Sequence, residues 1–199
     1  MGEKLSNKQG SIMIVGVGGQ GTLLASRLIG NILMENGYDV KVSEVHGMSQ
    51  RGGSVVTYVR YGDQVASPVI NRGEADIILA FERLEAARWL SSLKKGGTLI
   101  VSDQRIDPMP VIMGAAEYPE GILEAIRAKG VDVISADAIE LATQAGSSKA
   151  ANVVLIGMLS NLMPFSEAEW KAVIDRTVPP KFLEINEKAF ALGRAIAAR

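Results

Sequence analysis

The sequence predicts a single three-layer α/β/α domain with a Rossmann-like start, a largely parallel sheet that admits a mixed strand, and a helical C-terminal third. Three observations predict it. Short apolar runs alternate with helix-periodic segments through the first two thirds of the chain. A glycine-rich turn, Gly16-Val17-Gly18-Gly19-Gln20-Gly21, joins the first apolar run to the first helical one. Beyond Ala136 the patterning is helical almost throughout. At 199 residues the chain has the size of one domain and can bury a core without disulfide or metal staples. Residues 1–10 are expected to form a flexible lead-in and residues 11–199 the folded domain.

Ser11 to Val15 is a short apolar run, as a buried strand is, and Gln20 to Asn36 carries Leu23, Leu24, Leu28 and Ile32 at helical spacing. Gly37 suits the end of that helix, and Val40 to Val45 alternates at period two, completing a βαβ unit. Ser54 to Tyr61 is rich in β-branched and aromatic residues, which predicts a third strand, paired antiparallel with Val65 to Ile70. Ala75 to Phe81 and Thr98 to Ser102 read as buried strands on either side of a helix from Leu84 to Lys94 that Gly96-Gly97 ends. A helix from Gly121 to Lys129 leads into a strand from Val131 to Ile134. Helices follow over Ala136 to Ala145, Lys149 to Met163, Glu167 to Arg176 and Lys181 to Arg199, and Ser166 with Glu169 has the spacing of a capping box. Asn152 to Met163 is apolar almost all round, as a fully buried helix is; its methionines also suit docking on a second chain. The stripe Phe182, Ile185, Ala189, Phe190 and Ile196 predicts that the last helix covers the sheet.

Composition removes several function classes. Lys and Arg number 21 against 22 Asp and Glu, a net charge of -1, so no global field gathers a polyanion and no nucleic-acid partner is expected. Cysteine is absent, which removes thiolate nucleophiles and cysteine-ligated iron–sulfur clusters from this chain. A single histidine makes a transition-metal site improbable, and no metal is expected. The most apolar segment, Val153 to Met163, falls short of the roughly 20 residues a membrane span needs, so no membrane partner and a cytoplasmic location are expected.

Two constellations carry chemistry. In the first, Gly16, Gly18, Gly19, Gln20 and Gly21 follow a strand and open a helix, where glycines permit a tight turn and let helix N–H groups face a phosphate or nucleotide. The same glycines equally serve close strand–helix packing with nothing bound. A nicotinamide enzyme would add an acidic residue at the end of the second strand; Glu44 is the candidate and Asp39 the weaker one, although Glu44 also fits a solvated strand end. In the second, His46-Gly47-Met48-Ser49-Gln50-Arg51-Gly52-Gly53 places the sole histidine and an arginine among glycines in one inter-strand loop. Arg51 offers a planar charged fork for a carboxylate, a phosphate or a subunit contact, against the plainer reading of a turn whose arginine pairs locally. His46 suits a general base or a structural hydrogen bond, and no G-x-S-x-G elbow accompanies it for hydrolase chemistry.

Taken together, the glycine loop and Ser43-Glu44-Val45-His46-Gly47-Met48-Ser49-Gln50-Arg51-Gly52-Gly53-Ser54-Val55 resemble the gamma-type domain of pyruvate and 2-oxoacid ferredoxin oxidoreductases, and the wording before Arg51 resembles the indolepyruvate branch. Lys149-Ala150-Ala151-Asn152 looks familial as well. The resemblance implies a subunit of a hetero-oligomer that oxidatively decarboxylates an aryl 2-oxoacid to its acyl-CoA and passes electrons to ferredoxin. It implies thiamine diphosphate, magnesium and Fe–S clusters on a larger partner subunit, coenzyme A as acceptor, and His46, Ser49, Gln50 and Arg51 at the site entrance. The chain agrees with that division of labour, since Gly62-Asp63-Gln64 is not the Gly-Asp-Gly opening of a thiamine–magnesium motif. Two alternatives stand beside it: a stand-alone NAD(P)-dependent oxidoreductase or nucleotide-binding module using Gly16 to Gly21, and a ubiquitin-activating-like adenylating enzyme, which the absence of cysteine disfavours.

Overall fold

A computed structural model describes residues 9–44 and 53–196. The chain runs β1 (Gln9–Val17), α1 (Thr22–Glu35), β2 (Asp39–Glu44), β3 (Ser54–Gly62), β4 (Ala75–Ala80), α2 (Arg83–Trp89), β5 (Leu93–Ser102), α3 (Met109–Ile112), α4 (Ile122–Ala128), β6 (Asp132–Ala136), α5 (Ala138–Ala145), α6 (Ala151–Ser160), α7 (Glu167–Thr177) and α8 (Leu183–Arg194). The strands form one six-stranded sheet in the order β2-β3-β1-β4-β5-β6. Only β3 runs against the rest, pairing antiparallel with both β1 and β2, while β1, β4, β5 and β6 are parallel neighbours.

Strand alternation sorts the core into two layers. Ile12, Ile14, Ile77, Leu79 and Ile100 face α1, α5 and α6, whereas Met13, Val15, Ile78, Ala80, Leu99 and Val101 face α2 and α4. Helix α1 follows β1 onto the first face and α2 follows β4 onto the second. The boundary between β1 and β4 is therefore a topological switch point, where helices leaving adjacent parallel strands diverge and open a crevice at the carboxyl edge.

Helix α6 is buried from Asn152 to Ser160, as its all-round apolarity requires. It lies between β5 and α8, and the two helices close on glycines: a Cβ on Gly193 would collide with the Val154 carbonyl, and one on Gly157 with that of Phe190. The methionines of this stretch, Met158 and Met163, belong to the core. Ser166 and Glu169 form the capping box. At the end of α1, Gly37 adopts φ 83° while its N–H and that of Tyr38 bond to the carbonyls of Met34 and Leu33, a Schellman closure.

Several expectations are corrected. The βαβ unit is split, because β3 inserts between β1 and β2. Val65 to Ile70 forms no strand: Pro68 lacks a ladder donor, and the Val65 N–H bonds to Asp39 Oδ2 at 2.8 Å. Helix α2 stops at Trp89, and β5 starts at Leu93, so Gly96-Gly97 lies inside a strand. Gln9 and Gly10, expected in the lead-in, pair with Gly62 and Tyr61. The last helix covers α5, α6 and α7 instead of the sheet, since α6 already occupies that face, and Phe182 stays exposed.

Candidate functional site

The glycine loop sits at the carboxyl end of β1 and is fixed by hydrogen bonds to the backbone of Phe81 and Gly53 and to the side chains of Gln104 and Asn152. The Val17 N–H donates to Gln20 Oε1 at 2.7 Å, and Gln20 Nε2 donates to the Phe81 carbonyl and to Gln104 Oε1, each at 2.9 Å. Gln20 thus ties the turn to the ends of β4 and β5. The Gly18 N–H donates to the Gly53 carbonyl at 2.9 Å, joining the turn to the start of β3. Gly21, the N-cap of α1, has φ 83° and leaves the helix without a side-chain cap. Its carbonyl accepts from Asn152 Nδ2 at 3.2 Å, and a Cβ there would stand 2.5 Å from that same nitrogen. The backbone conformation favours glycine at this position, and a Cβ would also displace the Asn152 amide.

Beside this turn lies a cleft of about 400 Å3, lined by Gly19, Gln20, Gly21, Phe81, Ser102, Gln104, Ile139, Ser148, Lys149, Ala151 and Leu155. It opens at the switch point, and its wall mixes an apolar floor (Phe81, Leu155) with a few polar groups, the composition of a small-molecule site. Ser102 is 2% exposed and its hydroxyl finds no hydrogen-bond partner among the described residues. A buried hydroxyl without a partner is costly, and this one faces a cleft. With the uncapped start of α1 and the ammonium of Lys149 on the same wall, the arrangement can receive an anionic oxygen.

The next turn of the edge is built on buried carboxylates. Glu82, directly after Phe81, caps α2 by accepting from the Glu85 N–H at 2.9 Å and also accepts from the Tyr118 hydroxyl. Burial, then the bond to Glu82, pushes the Tyr118 hydroxyl pKa well above its ordinary value. Glu85 accepts from the Ser54 hydroxyl at the start of β3 and from Arg88 Nε at 3.1 Å.

Of the residues singled out from sequence, Gly16, Gly18, Gly19, Gln20 and Gly21 come together in the loop, with Gly19 and Gln20 on the cleft wall. Glu44 accepts from the Ser26 hydroxyl of α1 at 2.9 Å. His46, Ser49, Gln50 and Arg51 lie outside the described residues. The inserted β3 places Glu44 two strands from β1 instead of one, about 4.8 Å further than a ribose-binding acid at the end of an adjacent strand. Sequence reasoning missed Ser102 and Gln104. The signal was present, since both stand at the carboxyl end of a strand in a parallel sheet, where ligands gather. Among the described residues there is no metal-binding cluster of His, Cys, Asp and Glu, and no helix is long and apolar enough to cross a membrane.

Fold and cleft together define a Rossmann-like α/β domain with a crevice beside its glycine loop at the switch point. The chain belongs to the pyruvate ferredoxin/flavodoxin oxidoreductase family, which it matches over residues 11–196. It is 46% identical over 193 residues to the indolepyruvate oxidoreductase subunit IorB of Thermococcus kodakarensis, spanning 94% of this chain and 95% of that one. The gamma subunit of a keto/oxoacid ferredoxin oxidoreductase from Geobacter sulfurreducens superposes with a TM-score of 0.70 at 25% identity, covering 94% of this chain and 98% of that one. A longer relative, the ketoisovalerate oxidoreductase subunit VorA of Methanothermobacter marburgensis, is 23% identical over 187 residues, which are 92% of this chain but 35% of that one. Family membership removes the nicotinamide and adenylating alternatives.

Proposed function

We propose that this chain is the small subunit of an indolepyruvate-type 2-oxoacid:ferredoxin oxidoreductase, inactive without a larger subunit that carries thiamine diphosphate, magnesium and the Fe–S clusters. The observation that carries this reading is the likeness to an indolepyruvate oxidoreductase subunit at 46% identity along nearly the whole of both chains. The chain's own chemistry agrees. It has no cysteine for clusters, and Gly62-Asp63-Gln64 ends β3 at the sheet edge opposite the glycine loop, so its residues do not fit a thiamine–magnesium site. Bound to the partner, thiamine diphosphate would supply the electron sink for decarboxylation.

What remains for this chain is binding and orientation. The cleft takes an anionic group of the acyl acceptor, coenzyme A, with the backbone N–H groups opening α1, the Ser102 hydroxyl and the Lys149 ammonium as donors. Gln20 and Asn152 hold the loop in the shape that presents those donors. His46, Ser49, Gln50 and Arg51 are assigned to the site entrance on the family resemblance alone, and ferredoxin is reached through the partner. The test is to purify the chain alone and together with the larger subunit. The isolated chain should be colourless, and the pair should show cluster absorbance and stay together through gel filtration. A coloured isolated chain, or failure of the two to associate, contradicts the reading.

A further inference from the structure

The loop between β5 and α4 carries the sequence Pro108-Met109-Pro110-Val111-Ile112-Met113-Gly114-Ala115-Ala116, without one polar side chain. A surface loop usually avoids such a run. Here all but Pro108 and Val111 are exposed, and Met109, Ile112 and Met113 are 61%, 66% and 72% exposed, more than any other large hydrophobic residue described. The remaining exposed large hydrophobics form no such run: Leu23 and Met34 stand at opposite ends of α1, and Val42, Val69 and Phe182 lie on other segments.

The segment is built, not frayed. Pro108 precedes α3, whose turn closes with the Met113 N–H on the Met109 carbonyl, and the N–H groups of Ala115 and Ala116 both bond to the Pro110 carbonyl. Val111 packs into the core beneath. Downstream, the Tyr118 hydroxyl is anchored on buried Glu82, and the Arg105 guanidinium lies 4.5 Å from the centre of the Tyr118 ring. The result is a short apolar knob on a fixed base, preorganised for a contact. It rises from the same sheet edge as the cleft, starting four positions after Gln104, which lines that cleft.

We propose that the 108–116 segment is the apolar anchor by which this chain seats on its larger partner subunit, on the α2/α4 side of the sheet edge that carries the cleft; this rests on the subunit reading above. Two observations favour that occupant over a second copy. The matching region makes up only 35% of the longer ketoisovalerate oxidoreductase chain, so that relative carries it covalently joined to more protein. The knob also offers only three large exposed hydrophobics, Met109, Ile112 and Met113, too few on their own for the roughly 800 Å2 a side of a stable stand-alone interface, so it fits one element of a wider contact.

The experiment co-expresses the larger subunit with the parent chain, with Ile112→Glu/Met113→Glu, and with a control, Val69→Glu, in the loop at the opposite sheet edge. Hydrogen exchange of 108–116 is followed in the free parent chain and in the complex. The double variant should keep the melting temperature of the isolated chain and bind the larger subunit at least tenfold more weakly, the scale of an anchor lost from an interface. The control should bind like the parent, and 108–116 should gain protection on assembly. Parent-like assembly of the double variant, or unchanged exchange across 108–116 in the complex, overturns the proposal while leaving the subunit reading intact. If the parent fails to bind the larger subunit, both fall. A dimer of the isolated chain that the double variant dissolves would give the surface to a second copy and overturn it as well.

Discussion

Replacing Ser102 by alanine separates a binding group from a structural one. The hydroxyl is buried at the end of β5 and has no partner among the described residues, so in the ligand-free chain it carries a desolvation cost of about 1–3 kcal/mol. Ser102→Ala removes that cost and leaves a gap of one oxygen atom on the wall of an open cleft. Taking about 1 kcal/mol as the net gain, a chain of this length should melt about 2–4 °C higher. On the proposed acceptor role, the same change in the assembled enzyme should delete a hydrogen bond to an anionic oxygen, a loss of about 1.5–3 kcal/mol that would raise the KM for coenzyme A about tenfold or more. Scanning calorimetry of the isolated chain and steady-state kinetics of the complex read the two effects. A melting temperature that falls by several degrees with an unchanged KM would mean that the hydroxyl is a satisfied structural group and that the cleft is not the acceptor site.

Three further outcomes follow from particular contacts. Gly193→Ala drives a Cβ into the Val154 carbonyl and to 2.7 Å from its carbon, forcing α6 and α8 apart; a cost of about 3 kcal/mol should lower the melting temperature by about 6–12 °C, and a loss under about 2 °C would refute the backbone-contact reading. Ser166→Ala should cost about 1 kcal/mol at neutral pH by opening the capping box. The Ser166 hydroxyl, then its N–H, hold the Glu169 carboxyl below the ordinary carboxylate range, so that contribution is present above about pH 4.3 and fades as pH falls through the lower folded value. Urea denaturation should therefore show the gap between parent and variant narrowing between pH 7 and pH 3, and a constant gap would count against it. Calorimetric titration of the isolated chain with NAD or NADP should give a dissociation constant weaker than micromolar, since Glu44 is displaced by one strand; tighter binding, about 8 kcal/mol or more, would restore the nucleotide-enzyme reading.

Local chemistry was legible in the sequence where local chemistry decides. The all-round apolarity of α6, the Ser166–Glu169 box, the closure at Gly37 and the glycine spacing of residues 16–21 can each be read within a few residues of sequence. Strand order does not. Nothing in the alternation of Val40 to Glu44 shows that β3 will insert between it and β1, because either neighbour satisfies the same pattern and the choice is made by pairing across the sheet. The start of β5 was hidden for a related reason. Lys94, Lys95, Gly96 and Gly97 have poor strand propensity, and the parallel ladder to β4 resumes only after a bulge between Ala75 and Ile77. In the site, the glycine loop announces itself by spacing, whereas sequence places Ser102 only at the end of a strand, and the cleft it lines, with no partner for its hydroxyl among the described residues, follows from the sheet.

The division of labour between this chain and its partner is tested most directly by reduction of a viologen dye with indolepyruvate and coenzyme A, measured for the isolated chain, the isolated larger subunit and the purified pair. Decarboxylation needs an electron sink and ferredoxin reduction needs a one-electron centre, and the sequence has no cysteine for clusters and no thiamine–magnesium motif. The isolated chain should give no dye reduction, and the pair should give coenzyme A-dependent turnover well above that of the larger subunit alone. Dye reduction by this chain on its own, or full-rate turnover by the larger subunit without it, would contradict the assignment.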